Sequence, residues 1–148
     1  MTADQVTVRA DQYAGMLWVD APDIVELQFP DTVTFRLRGS VGGPAGSAAT
    51  SLYVQFSGSE WSFLQAAFDS SGKMLPMRVV DRRASGGGIV REVVSVGAHR
   101  QYLEEHRATG LDIEVRGRRG KVAVKLPPAY VEAFLAKFDA AAAAPAAK

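Results

Sequence analysis

Residues 110–138 limit what this chain can fold into more than any other stretch. Leu111, Ile113 and Val115 alternate with Asp112, Glu114 and Arg116, the period-2 pattern of a strand with one wet face. Gly117-Arg118-Arg119-Gly120 closes a turn, and Val122, Val124 and Leu126 then alternate with Ala123 and Lys125. Two such runs around a short glycine-bounded turn predict a hairpin. Pro127-Pro128 ends the return strand, because proline has no N–H for the ladder, and Pro128 suits the first position of a helix. Tyr130, Val131, Phe134, Leu135 and Phe138 follow at i, i+1, i+4, i+5 and i+8, the apolar stripe of an amphipathic helix. A hairpin that feeds such a helix needs an apolar partner to lie on.

The preceding residues supply strands for that purpose. Val6–Arg9 and Met16–Val19 read as short extended runs around a Tyr13-Ala14-Gly15 turn, and Ile24–Phe29 as another between Pro22-Asp23 and Pro30-Asp31. Val33, Phe35 and Leu37 alternate cleanly with Thr34, Arg36 and Arg38. Gly39 to Ser51 has no apolar period and is rich in glycine, so a mobile surface loop is expected there. Leu52–Phe56 is a strand. Trp61–Asp69 fits a helical stripe as well, but its aromatics and flanking turns favour a strand. Met74–Val80 follows, with Pro76 marking an edge or a bulge. Gly86-Gly87-Gly88 connects to Ile89–Val96, and a short helix is expected over Ala98–Arg107, stopped by Gly110. The fold class that results is all-β: a β-rich, sandwich-like, mostly antiparallel single domain over residues 1–138, with one short helix and the C-terminal amphipathic helix. The alanine-rich tail, residues 139–148, is expected to fray.

Length and composition bound the rest. At 148 residues the chain is one domain with room for a real core. Its apolar runs are far shorter than the roughly 18 residues of a membrane-spanning helix. A net charge of +1 gives no reason to expect nucleic-acid binding. Residues 1–70 carry 3 basic and 8 acidic groups, and residues 71–148 carry 14 and 8; in one sandwich these halves interleave and attract. With no cysteine there is no disulfide framework, thiolate metal site or cysteine nucleophile. Met1–Gln5 lacks the basic start and apolar run of a signal peptide, which leaves a cytoplasmic protein or a form trimmed of its signal.

The order Tyr53-Val54, Trp61–Asp69, Ser71–Leu75, Glu92–Val96, Tyr102-Leu103, Gly110–Ile113, Gly117–Gly120, Leu126-Pro127 and Tyr130–Leu135 resembles a group of uncharacterised bacterial envelope proteins. Their shared marks are a tryptophan-aromatic strand and a closing Leu-Pro…Tyr-Val…Phe-Leu helix, over residues 50–138 here. The resemblance implies a small secreted or lipid-anchored protein of the periplasm or cell envelope, with its signal removed, and it carries no activity. The cysteine pair that the resemblance implies for the Asp81–Glu92 loop is absent from this chain.

Few residues invite chemistry. His99 and His106, with Glu104 and Glu105, are ligand types for a metal, but seven residues separate the imidazoles where helical ligand pairs stand three or four apart. A solvated helix face is the better reading, and no metal or cofactor is expected. The same histidines are the basis of an alternative, a small hydrolase with a nearby cleft; no Gly-x-Ser-x-Gly elbow or Ser-x-x-Lys pair supports it. Asp20 and Asp23 flank a proline turn, where aspartate caps backbone N–H groups. Gly86–Gly88 lacks the Lys-Ser/Thr of a phosphate loop. Trp18 and Trp61 have rings suited to stacking on sugars, but apolar neighbours Leu17, Val19 and Phe63 assign both to the core. The remaining candidates are basic: Arg116, Arg118, Arg119 and Lys121 at one hairpin tip, and Arg78, Arg82 and Arg83 near another turn. If these tips meet, they form a patch for phosphates, lipid headgroups or acidic glycans; if not, they keep hairpins soluble and blunt sheet edges. The functional expectation is a non-catalytic envelope-associated interaction or structural module, whose partner is an envelope protein or an anionic surface.

Overall fold

The computed structural model describes residues 5–28, 30–43 and 47–143. Two antiparallel sheets pack face to face with a helix filling one end, so the all-β expectation holds. The larger sheet contains β1 (Thr7–Asp11), β2 (Met16–Asp20), β3 (Ile24–Gln28), β4 (Asp31–Gly42), β5 (Ser47–Gly58), β8 (Met77–Gly86) and β9 (Ile89–Val96). Its order is β1-β2-β4-β5-β9-β8, and the long β4 pairs with β2 through its second half and with β3 through its first. The smaller sheet contains β6 (Leu64–Asp69), β7 (Met74–Leu75), β10 (Leu111–Gly117) and β11 (Lys121–Leu126), in the order β11-β10-β6-β7. The helices are α1 (Arg100–Glu105) and α2 (Pro128–Ala143).

The alternation seen in the sequence decides which residues enter the core. Val33, Phe35 and Leu37 of β4, Leu52, Val54 and Phe56 of β5, and Val94 and Val96 of β9 are buried on one face of the large sheet. The hairpin β10–β11 answers with Leu111, Ile113, Val115, Val122, Val124 and Leu126, all buried. Helix α2 packs on β2 and β4 beside the small sheet and buries Tyr130, Val131, Phe134, Leu135 and Phe138. Burying a Leu or Phe side chain in this way contributes roughly 1.5–3 kcal/mol. Tyr130 fixes the helix start by donating its hydroxyl to the Pro22 carbonyl at 2.7 Å and accepting from the Leu37 N–H at 3.2 Å. Desolvation pushes that phenol far above its usual range.

Polar links close the two sides of the sandwich. The Gln28 amide donates to the Ala123 carbonyl at 2.6 Å and accepts from the Ala123 N–H at 3.1 Å. It thereby supplies the edge of β11 with the bonds of a neighbouring strand. On the opposite side Arg82 of β8 donates to the Leu64 carbonyl of β6 at 2.6 Å.

Several expectations need correction. The segment Gly39 to Ser51 is a hairpin: 39–42 finish β4 and 47–51 begin β5, while residues 44–46 lie outside the described residues. Its missing apolar period has a packing cause, because a Cβ on Gly39 would enter the Phe138 ring; the helix fills the space that strand side chains would occupy. The strand expected over Trp61–Asp69 begins at Leu64, since Phe63 takes a left-handed backbone at φ 54°. Pro76 separates β7 in the small sheet from β8 in the large one. The short helix is narrower than expected, at Arg100–Glu105. Residues 139–143 continue α2, with Asp139 held by Arg100 at 2.8 and 2.7 Å; residues 144–148, like Phe29, lie outside the described residues. Trp61 is half-buried against the core, whereas Trp18 sits on the outer face of the large sheet.

Candidate functional site

The structure divides the seven basic residues of the sequence reading. Arg118, Arg119 and Lys121 are exposed at the β10–β11 tip and make no ion pair with a described residue. That tip lies on the turn before β6: the Arg119 N–H bonds the Ser62 carbonyl at 3.2 Å. A side chain at Gly117 would collide with the Ser62 carbonyl and the Phe63 backbone, so glycine permits the close approach. Arg118 and Arg82, from different hairpins, both lie 5.9 Å from the centre of the Phe63 ring. Arg116 stands 4.4 Å from the Phe68 ring and pairs with Glu114 at 2.6 Å, which holds that carboxyl below its ordinary value. Trp61 stacks on Phe63 at 6.1 Å. The β10–β11 tip thus meets one arginine of the other group, Arg82, at an aromatic platform that spacing alone did not reveal. Arg78, Arg82 and Arg83 lie in strand β8 and not on a turn. Arg83 stays apart, paired with Asp81 at 2.7 Å, and Arg78 projects from the opposite face of the large sheet, beside Ser95.

A register shift between Val79 and Asp81 separates Arg78 from Arg82. A bulge of one residue swaps the faces of everything after it. It brings Arg82 opposite Glu92, on the core side. Glu92 is fully buried and accepts the N–H groups of Ser62 (2.8 Å), Phe63 (3.2 Å) and Leu64 (2.9 Å), with Arg82 Nε at 3.3 Å. One carboxylate therefore fixes the turn that carries Phe63, and with it the base of the arginine tip. Its signal was present in the sequence: Glu92 falls in phase with Val90, Val94 and Val96.

The outward face of the large sheet forms a second locus. Arg36, Tyr53, Ser95 and Arg78 stand in one cross-strand row, and Asp20, Arg38 and Ser51 in the next. The Arg38 guanidinium lies 4.0 Å from the Trp18 ring and 5.4 Å from the Tyr53 ring. Asp20 Oδ1 stands 3.1 Å from Arg38 Nε and 3.5 Å from Arg36 Nε, and Asp23 reaches Arg36 at 3.3 Å. A cavity of about 260 Å³ opens here between Trp18, Arg38, Tyr53, Arg78 and the hydroxyls of Ser51 and Ser95. A smaller one of about 170 Å³ adjoins it at Tyr53 and Arg36.

No family model matches this chain, and no curated protein or solved structure matches it either.

The two histidines of the hydrolase alternative stand at opposite ends of α1. His99 precedes α1 without a side-chain cap, and His106 turns back on its own helix, its Nδ1 2.8 Å from the Tyr102 carbonyl and its ring 4.2 Å from the Tyr102 ring. Among the described residues no cluster of His, Asp or Glu could hold a metal. Asp69 accepts from Ser71 Oγ at 2.6 Å, from two backbone N–H groups and from the Tyr102 hydroxyl at 2.9 Å. Chiefly through Ser71, these bonds lower its pKa to about 2. No described helix is long and apolar enough to cross a membrane.

Proposed function

We propose that this protein is a non-catalytic interaction module of the bacterial cell envelope that docks on anionic surfaces through the β10–β11 tip. The observation that carries the reading is the meeting of Arg82 and Arg118 at Phe63, with Arg119 and Lys121 exposed and unpaired among the described residues beside them. Cations around half-exposed aromatic rings suit a headgroup interface, where the rings sit at the boundary and each nearby cation adds about 1 kcal/mol of attraction. Arg82 is largely neutralised by Glu92, so the attraction rests on Arg118, Arg119 and Lys121.

Sedimentation with vesicles of phosphatidylcholine, with and without 30% phosphatidylglycerol, tests this. Retention is expected only on the anionic vesicles, weakening as salt rises and disappearing in Arg118→Glu/Arg119→Glu. Equal binding to both vesicle types, or unchanged binding by the double variant, would overturn the docking reading. Fractionation of the native gene product tests the compartment: recovery in the cytoplasm with an unprocessed N-terminus would overturn the envelope assignment.

A further inference from the structure

We infer that the outward face of the large sheet is a separate binding site for a carboxylate-bearing oligosaccharide, centred on Arg38 and Arg78. The cavity on this face is lined by two guanidiniums and by no carboxylate. Arg78 is exposed and has no counter-ion among the described residues, so the site carries an unspent positive charge. Arg38 is held in place by its two flanking rings and by Asp20, which presets its orientation before any ligand arrives. The Nε atoms of Arg36 and Arg38 both face Asp20 Oδ1, at 3.5 and 3.1 Å.

The rest of the lining selects the kind of anion. Ser51, Tyr53 and Ser95 offer hydroxyls that both donate and accept, which matches the hydroxyls of a sugar. Trp18 and Tyr53 line the same cavity, their rings flanking the Arg38 guanidinium, so apolar ring surface adjoins the charged group. Arg38 on β4 and Arg78 on β8 are three inter-strand spacings apart, about 14 Å at the backbone; the second cavity continues past Tyr53 but is lined by the Arg36–Asp23 pair, so it suits the hydroxyls of the chain rather than a carboxylate. That geometry fits an extended chain with charges along its length better than a single small anion. Guanidinium forks then take the carboxylates in pairs of hydrogen bonds. The site is independent of the tip, because Arg78 and Arg82 lie on opposite faces of β8.

The test uses a linear oligo-uronate with one carboxylate per sugar, its methyl-esterified form, the monomeric uronate and inorganic phosphate. Binding is followed by calorimetry and by the fluorescence of Trp18 in a Trp61→Phe background. The expected result is saturable binding of the oligomer with a change in Trp18 emission. Methyl esterification should abolish it, and the monomer and phosphate should bind at least tenfold more weakly. Arg78→Glu, an exposed position, should weaken the oligomer at least tenfold while circular dichroism stays unchanged, and Arg118→Glu/Arg119→Glu should leave it unaltered. Failure of the oligomer to bind, equal binding of the ester, monomer or phosphate, or indifference to Arg78→Glu would each overturn the inference. Loss of binding in the tip variant would overturn it too, by transferring the anion site to the other end.

Discussion

Glu92→Ala removes the single acceptor shared by three backbone N–H groups and leaves Arg82 without its carboxylate. Glu92 has no solvent exposure, so water has no direct route to replace its oxygens. The N–H groups of Ser62 and Leu64 lie in buried bonds and that of Phe63 in a partly buried one. An orphaned buried donor costs about 1–3 kcal/mol, so two full and one partial loss give about 3–5 kcal/mol. For a domain whose total stability is about 5–15 kcal/mol, that leaves the fold marginal. Arg82→Ala separates the two contributions. It leaves the buried Glu92 carboxylate with its three backbone N–H donors but without its cation, and the Leu64 carbonyl without its donor, so about 1–3 kcal/mol is expected, less than for Glu92→Ala. Glu92→Gln keeps one acceptor but turns an amide N–H2 toward the backbone donors, and about 2–3 kcal/mol is expected. Urea titration followed by circular dichroism measures all three, with m unchanged if unfolding stays two-state. A Glu92→Ala midpoint within about 1 kcal/mol of the parent, or an Arg82→Ala loss as large as that of Glu92→Ala, would refute the account in which backbone donors dominate.

Phe134→Ala should cost about 3–5 kcal/mol, because the ring is fully buried, whereas half-buried Trp61→Ala should cost about 1–2 kcal/mol; thermal melts in parallel check the ratio. Gly117→Ala forces the β10–β11 tip away from Ser62 and Phe63 and should cost about 1–3 kcal/mol. The same variant should lower vesicle binding, since the arginines then part from the ring; a stable variant with unchanged binding would show that the platform is dispensable. Asp69 has a folded pKa of about 2, below its unfolded value of 3.8. Its contribution is therefore present above pH 4 and lost as pH falls toward 2. Asp69→Asn should flatten that part of the stability–pH curve, and an unchanged slope would refute the assignment.

The hairpin β10–β11 and helix α2 were legible because each buries one face against one partner, so polarity alternates with the right period. Glycine at position 39 hid half of a strand, since the apolar matter at that site is donated by Phe138 from far along the chain. Trp18 was misread for a related reason. Its apolar neighbours point inward, but its own ring belongs to the other face, where a guanidinium rather than a core covers it. The arginine tip was visible as composition, yet its partner Phe63 required a left-handed residue, a bulge in β8 and a buried glutamate to act together. Of the three only Glu92 leaves a periodic trace, in phase with Val90, Val94 and Val96.

The position of α2 sets a schedule for the molecule's birth. It follows every described strand in the chain, so the inner surface of β2 and the second half of β4 have nothing to pack on until the last part of the described sequence leaves the ribosome. Contacts so distant in sequence close late, and an emerging chain of this kind exposes apolar strand surface for most of its synthesis. At elongation rates of roughly 5–20 residues per second that interval lasts seconds, long enough for a chaperone to hold the nascent chain before the helix seals it.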